Sequence, residues 1–227
     1  MNKKAPKIIS LSHLITNDTL MYPGDPEIKI KDYKTIDSHG SWVKQITFGS
    51  HTGTHQDAPS HILKQGSNLD EIEKIQFIGV ARCINLKDHI NLKTLLADLN
   101  PGEAIFFNTG HAIYWNTEKF YRERPYLSDQ MLNTLIQKKA SALGIDTPSV
   151  DPRGSKNKHI HKKLLKNNIL IYESLANLDR LPENEPFVYA AVPLPFAQAD
   201  ASPLQMIALV GDNNLVSSIS TFKKHFL

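Results

Sequence analysis

The chain has 227 residues, 41% hydrophobic and 22% charged, an ordinary globular composition with enough apolar material for a sizeable core. Its net charge of +3, from 26 basic and 23 acidic residues, is too balanced to argue for nucleic acid, and no apolar run approaches the ~20 residues of a membrane span. A single cysteine, Cys83, leaves no internal disulfide and suits a reducing, cytoplasmic setting, and the basic opening Met1–Lys7 runs into polar residues rather than the apolar core of a signal peptide.

In chain order, Lys7–Leu14 reads as a short strand, followed by the turn-dense Tyr22-Pro-Gly-Asp-Pro26. Glu27–Ile36 and Ser41–Phe48 alternate apolar and polar residues and predict half-exposed strands. The second feeds His51-Thr-Gly-Thr-His-Gln-Asp-Ala-Pro-Ser-His61, which sets three histidines and an aspartate in eleven residues. If residues 51–57 are extended, His51, His55 and Asp57 share one face, with Gly53 between the histidines leaving room for a bound species. Two imidazoles and a carboxylate converging from one face can seat a divalent metal. Zn²⁺ accepts such ligands and keeps a position for water, and Mn²⁺ also tolerates them. The spacing of His51 and His55 also matches the helical His pair of metalloproteases. However, Thr52 stands where that pair carries Glu, and Gly53 with two threonines makes a poor helix interior. Pro59 suits the first position of a helical turn.

Further on, Asp70–Ile75 reads as loop or short helix, Phe77–Leu86 as a buried strand containing Cys83, and Leu92–Leu99 as a short helix stopped by Asn100-Pro-Gly. Ala104–Asn108 is a strand, and Tyr114–Tyr126, aromatic and polar without periodicity, a loop. Ser128 caps a helix reaching about Lys139, with Met131, Leu132 and Leu135 on one face. Ala142–Asp146 is a strand, Thr147–Gly154 a turn-rich loop, and Lys158–Lys166 a helix whose lysines face solvent. Ile169–Glu173, Phe187–Val192 and Leu204–Val210 complete the strands. Interleaved strands and helices predict an α/β class with a mixed sheet, and the absence of a convincing linker predicts a single domain over 1–227. A second set of ligands is available in His159-Ile-His161 and Glu173, a helix and the following strand end that can meet at a sheet edge. With Asp57 as a bridge they could hold a second ion, about 3.5–4 Å from the first as in paired-metal hydrolases. On spacing alone, a solvent-facing histidine and an ordinary strand-end glutamate is the simpler reading.

The run from His51 to His61 resembles the H-x-G-T-H-x-D-x-P-x-H signature of the metal-dependent cyclase and bacterial kynurenine formamidase family. Leu11-Ser-His with Tyr22-Pro-Gly-Asp-Pro26 resembles that family's opening, and Gly144-Ile-Asp-Thr-Pro-Ser-Val-Asp151 its middle motif. His161-Lys-Lys-Leu-Leu through Glu173 resembles its second ligand block, and Pro193-Leu-Pro with Ala199-Asp-Ala-Ser-Pro203 its close. The resemblance implies a swivelling β/β/α fold and a homodimer or homotetramer. It implies one metal on His51, His55 and Asp57, a second on Asp57, His161 and Glu173, with one or two Zn²⁺ ions or Mn²⁺ bound, and His61 as the catalytic acid/base. His161 fits the family's step to Glu173, and His159 is its rival. Three departures bear on the substrate: Ala201 where the closing motif usually has Gly, the segment after Thr109-Gly110, and Tyr22 where many kynurenine formamidases carry Trp.

The chemistry so implied is hydrolysis of a carbon–nitrogen amide bond. His61 would carry a proton from metal-activated water to the leaving nitrogen, since imidazole titrates near neutral pH. N-formyl-L-kynurenine is the leading small-molecule substrate, with Tyr22, Phe77, Tyr114 and Trp115 available to line an aromatic pocket. A cyclic amide such as isatin is the alternative, and a non-catalytic metal- or metabolite-binding module, which would not need His61, a second. His13, His39, His89, His111 and His225 have no assigned role, and Asp146 and Asp200 read as structural turn residues.

Overall fold

The computed structural model describes residues 5–86 and 98–226. Its strands are β1 (Lys7–Ser10), β2 (Lys29–Lys34), β3 (Val43–Thr47), β4 (His55–Asp57), β5 (Ile78–Asn85), β6 (Ala104–Asn108), β7 (Ala142–Ile145), β8 (Leu170–Glu173), β9 (Pro186–Pro193) and β10 (Ala201–Val210). Its α-helices are α1 (Ile36–His39), α2 (Glu118–Tyr121), α3 (Asp129–Gln137), α4 (His159–Leu165) and α5 (Asn213–Lys223). None of the described helices is long and apolar enough to cross a membrane.

The main sheet runs β1-β10-β4-β8-β7-β6-β5-β9, and β9 pairs back onto β10. Seven strands therefore close into a barrel with no free edge within the ring, and β1 pairs onto β10 from outside it. Neighbours from β5 to β8 are parallel and the remaining pairs antiparallel, the mixed sheet expected of the sequence. Closure depends on the length of β10. Ala201–Pro203 pair with β4, Leu204–Leu209 with β9, and Ile207–Val210 with β1.

Every residue of β6, β7 and β8 is buried, so both faces of these strands lie in apolar surroundings. Their period-2 alternation supplies two cores. Phe106, Tyr172, Phe187 and Tyr189 meet inside the barrel with ring centroids 5.3–6.5 Å apart. On the outer face Ile105, Phe107, Leu143 and Ile171 pack under Leu132 and Leu135 of α3 and Ile160 and Leu164 of α4. Helix α3 starts as its sequence predicts, with the Ser128 hydroxyl accepting from Met131 N.

Several elements differ from expectation. β2 and β3 pair only with each other, as a hairpin apart from the barrel, and β3 is exposed along its whole length. The stretch read as a loop over Tyr114–Tyr126 contains the single turn α2, which buries Phe120 and Tyr121 and is too short to display a helical period. Helix α5, absent from the sequence reading, is capped by Asp212 Oδ1, which accepts from Asn214 N and Leu215 N. β10 begins at Ala201 rather than Leu204, with Pro203 inside it. The helix expected over Leu92–Leu99 lies almost wholly outside the described residues.

One tight approach fixes the loop beyond His61. A Cβ on Gly66 would stand 2.4 Å from the Pro59 carbonyl carbon and 2.6 Å from Ser60 N, both backbone atoms with no freedom to rotate away. Gly66→Ala should therefore cost about 1–3 kcal/mol of stability, the range for overpacking, read as a lower denaturant midpoint with an unchanged slope.

Candidate metal centre

The turn before β4 brings the first histidine back over the second. Gly53 has φ 65°, a left-handed conformation that suits glycine, so only His55–Asp57 are strand. The extended reading of 51–57 therefore fails at Gly53. His51 reaches the site by a turn, and the space above Gly53 is filled by Ile15, 3.1 Å from where a Cβ would lie. β4 pairs with β8 so that His55 faces Glu173, and with β10 so that Asp57 faces Ala201. Its three residues are fully buried between these neighbours. α4 delivers His161 from the outer layer, and the short 3₁₀ turn Pro59–His61 supplies His61.

All five predicted ligands converge. His51 Nδ1 lies 3.0 Å from Asp57 Oδ1. His55 Nε2 lies 3.4 Å from the same oxygen and 3.5 Å from Glu173 Oε2. His161 Nε2 is 3.3 Å from both Asp57 Oδ2 and Glu173 Oε1. Yet His55 Nε2 and both Asp57 oxygens, all inaccessible, make no hydrogen bond with any described residue: the groups are close but off hydrogen-bond geometry. A buried carboxylate without a donor is costly, so these atoms are arranged around a shared centre instead of around one another.

The opposite nitrogen of each imidazole is held from outside. His55 Nδ1–H donates to the Gly53 carbonyl at 2.9 Å, His51 Nε2–H to Asp200 Oδ2 at 3.0 Å, and His161 Nδ1–H to Asp151 Oδ2. Metal-binding histidines are typically held in this way, which fixes the tautomer and leaves the inner nitrogen's lone pair free. Glu173 Oε1 accepts from Val150 N at 2.6 Å. The donor set of three imidazole nitrogens and two carboxylates thus fits a divalent cation. Compact groups form from His51, Asp57 and His61 and from His55, Asp57 and Glu173. Asp57 is common to both, as the resemblance implies, although the distances place His55 with Glu173.

Without a cation, the carboxylates favour protons on the same imidazoles. Burial opposes charge on His51, but the Asp200 and Asp57 carboxylates outweigh it and raise its pKa to about 9. Burial likewise opposes charge on His55, which Asp57 and Glu173 raise to about 10. His161 is raised against its burial by Asp151, Asp57 and Glu173. Burial would raise Glu173, but His161 and His55 bring it to about 2, and the three imidazoles likewise hold Asp57 well below the usual carboxylate range.

His61 stands beside this cluster, its ring 4.2 Å from His51 and 5.7 Å from His161, with Nδ1 3.2 Å from Asp200 Oδ2. Asp200, read from sequence as a turn residue, is therefore part of the site, joining His51 to His61 through one oxygen. Asp151 was given no role either. Both lie inside motifs that carry the resemblance, which was the available signal. Asp146 is structural, accepting from Thr109 N, His111 N and Ala112 N. His159 points away, 2.9 Å from Asp129 on the surface. A cavity of about 190 Å³ opens over the cluster, with Tyr22, Tyr121, Ile62, Pro148, Ser149 and Lys158 in its wall. Of the four aromatics expected there only Tyr22 is present; Phe77 is in the barrel core and Trp115 stacks on His13 at 4.1 Å.

A mixed barrel with a buried His/carboxylate cluster at a cavity defines a hydrolase with a place for a divalent metal. The Cyclase family model matches residues 9–152, and the chain belongs to that family. Kynurenine formamidase from Bacillus cytotoxicus is 30% identical over 208 residues, covering 90% of this chain and 98% of that protein. The Geobacillus thermodenitrificans kynurenine formamidase is 32% identical over 201 residues, covering 87% and 94%. In fold, the chain resembles isatin hydrolase A from Labrenzia aggregata, with a TM-score of 0.82, 22% identity and coverage of 92% and 95%. An isatin hydrolase bound to thioisatinate gives 0.81, 22%, 90% and 92%.

In the metal-free protein the raised imidazole pKa values add stability that is present in full below about pH 6.5 and lost as pH rises through about 9 to 10. Protons must leave as a cation enters, so apparent metal affinity should increase with pH across that interval. Calorimetric titration with Zn²⁺ at pH 7 in two buffers of different ionisation heat should show protons released; a count of zero would mean imidazoles already neutral.

Proposed function

We propose that this enzyme hydrolyses an aryl formamide, N-formyl-L-kynurenine foremost, to formate and the free amine. The proposed centre is His51, His55, Asp57, His161 and Glu173 holding Zn²⁺ or Mn²⁺, with His61 as acid/base. The observation that carries the reading is the buried Asp57 carboxylate, faced by three imidazole nitrogens and hydrogen-bonded by none of them. The substrate rests on the two kynurenine formamidases that align over nearly their whole length.

A bound divalent cation supplies Lewis acidity, which makes water nucleophilic near neutral pH and draws charge from an amide carbonyl. The chain's own groups do the rest. Asp200 Oδ2 accepts from His61 Nδ1–H, which leaves the Nε2 lone pair as the basic site. His61 takes a proton from the attacking water as its oxygen bonds to the formyl carbon. It returns that proton to the nitrogen as the C–N bond breaks, giving formate and an amine. The outward hydrogen bonds of His51, His55 and His161 keep those rings from turning during the cycle. The fold neighbours named for isatin support a second reading, opening of a ring amide by the same groups.

His61→Ala should retain metal and lose roughly a hundred- to ten-thousandfold in kcat, the usual worth of a positioned acid/base. Loss of the metal would make His61 a ligand. Asp200→Asn should retain metal too, with a smaller loss of about ten- to hundredfold. A purified-enzyme panel of formylkynurenine against isatin and cyclic imides decides the substrate: turnover of ring amides alone would overturn the formamidase reading.

A further inference from the structure

The cavity over the metal centre is small for a whole substrate. At about 190 Å³ it lies below the roughly 300–1,000 Å³ usual for small-molecule sites. Apart from the metal-centre side chains, two charged residues line this cavity, Lys158 and Asp25. Asp25 is exposed and Lys158 half-buried, and neither is ion-paired with a described residue.

Lys158 is held in place at some cost. Its φ is 49°, a left-handed conformation that L side chains rarely adopt, directly before α4. Strain of this kind at a non-glycine residue is commonly kept where a site needs the geometry. A second cation backs the same wall. Arg124 is 8% exposed, and its Nη2 has no hydrogen-bond partner among the described residues. Its guanidinium lies 5.6 Å from the Tyr22 ring and its Nε donates to the Asp151 carbonyl at 3.2 Å. The carboxylate of that same Asp151 accepts from Ile160 N, two residues past Lys158. Arg124 does not itself line the cavity but lies behind Tyr22, which does, so Lys158 is the cation at the wall, and no carboxylate of the described residues forms an ion pair with it. A half-buried ammonium without a counter-charge gains from an anion that arrives beside it.

We propose that Lys158 docks a carboxylate carried by the substrate, and that Asp25 takes the adjoining ammonium, so that the enzyme selects aryl formamides bearing an α-amino acid over neutral ones. This rests on the formamidase reading and names what in the site recognises the substrate beyond its amide. A neutral cyclic amide offers nothing to either charge.

The test compares kcat/KM for formylkynurenine, for N-formylaniline, which has the aryl formamide and no amino acid, and for the formylkynurenine analogue lacking the α-amino group. Lys158→Gln should lower kcat/KM for formylkynurenine about ten- to hundredfold more than for N-formylaniline, the span of one charge-assisted hydrogen bond, and do so through KM. Lys158→Arg should recover most of that selectivity. Asp25→Asn should act on formylkynurenine and lose its selective effect with the analogue lacking the ammonium. Equal losses on all substrates, or none on any, overturn the docking assignment, and so does a wild-type enzyme that turns over formylkynurenine and N-formylaniline equally well. Wild-type enzyme that hydrolyses no formamide while opening isatin removes the formamidase reading itself, and this inference with it.

Discussion

The site depends on a carboxylate that the fold buries and does not pair. Asp57 is fully enclosed on a strand of three residues, bonded on one side to β10 and on the other to β8. Asp57 stands opposite Ile171, which packs in the outer core, so its carboxylate lies on the outer face of the barrel, among His51, His55 and His161. Two carboxylates and three imidazoles within about 3.5 Å of one another would be an expensive arrangement in a dry interior if their charges were left to each other. A divalent cation held there would supply the missing counter-charge. The outer layer thus does more than carry His161, because beneath it Asp57 has no solvent-exposed surface.

Three different acceptors hold the imidazoles, and the difference has consequences. Gly53 offers a neutral carbonyl to His55, whereas Asp151 and Asp200 offer carboxylates to His161 and His51. A carboxylate behind an imidazole raises its basicity more than a carbonyl does, so the three ligands are not equivalent donors. Asp151 has a second duty. Its Oδ1 accepts from Ile160 N in the first turn of α4, where Lys158 makes no side-chain cap. One side chain therefore satisfies the start of the helix and orients the ligand that the helix carries. Displacing the helix would cost both bonds at once.

What could be read from the sequence was local. Period-2 alternation gave the buried strands, Ser128 marked the start of α3, and the density of metal-capable groups between His51 and His61 gave the first ligands. Their geometry was less legible: an extended 51–57 would place His51, His55 and Asp57 on one face, but the chain turns at Gly53 and reaches a similar convergence by another path. The choice between His159 and His161 is one of helix phase. Two residues differ by about 200° around a helix, so one faces the barrel and the other Asp129 on the surface. Barrel closure had no local signal, since it arises from β10 pairing with three strands drawn from distant parts of the chain. Asp200 was hidden for the same reason. Its neighbours in sequence are turn-like, and its partners, His51 and His61, lie 149 and 139 residues away.

Asp200 also shows how a ligand and a proton carrier can be made to depend on one another. A single oxygen, Oδ2, accepts from both His51 and His61, at 3.0 and 3.2 Å. Two N–H donors on one acceptor fix both rings relative to a common point, so the distance between the inner face of His51 and the free Nε2 of His61 is set by the carboxylate and not by the backbone of the loop between them. The same sharing bears on charge. If His61 is the acid/base proposed above, a second proton on it would strengthen its bond to Oδ2 and weaken the competing bond from His51. That is a physical reason for a half-exposed aspartate to sit at this position instead of two separate acceptors.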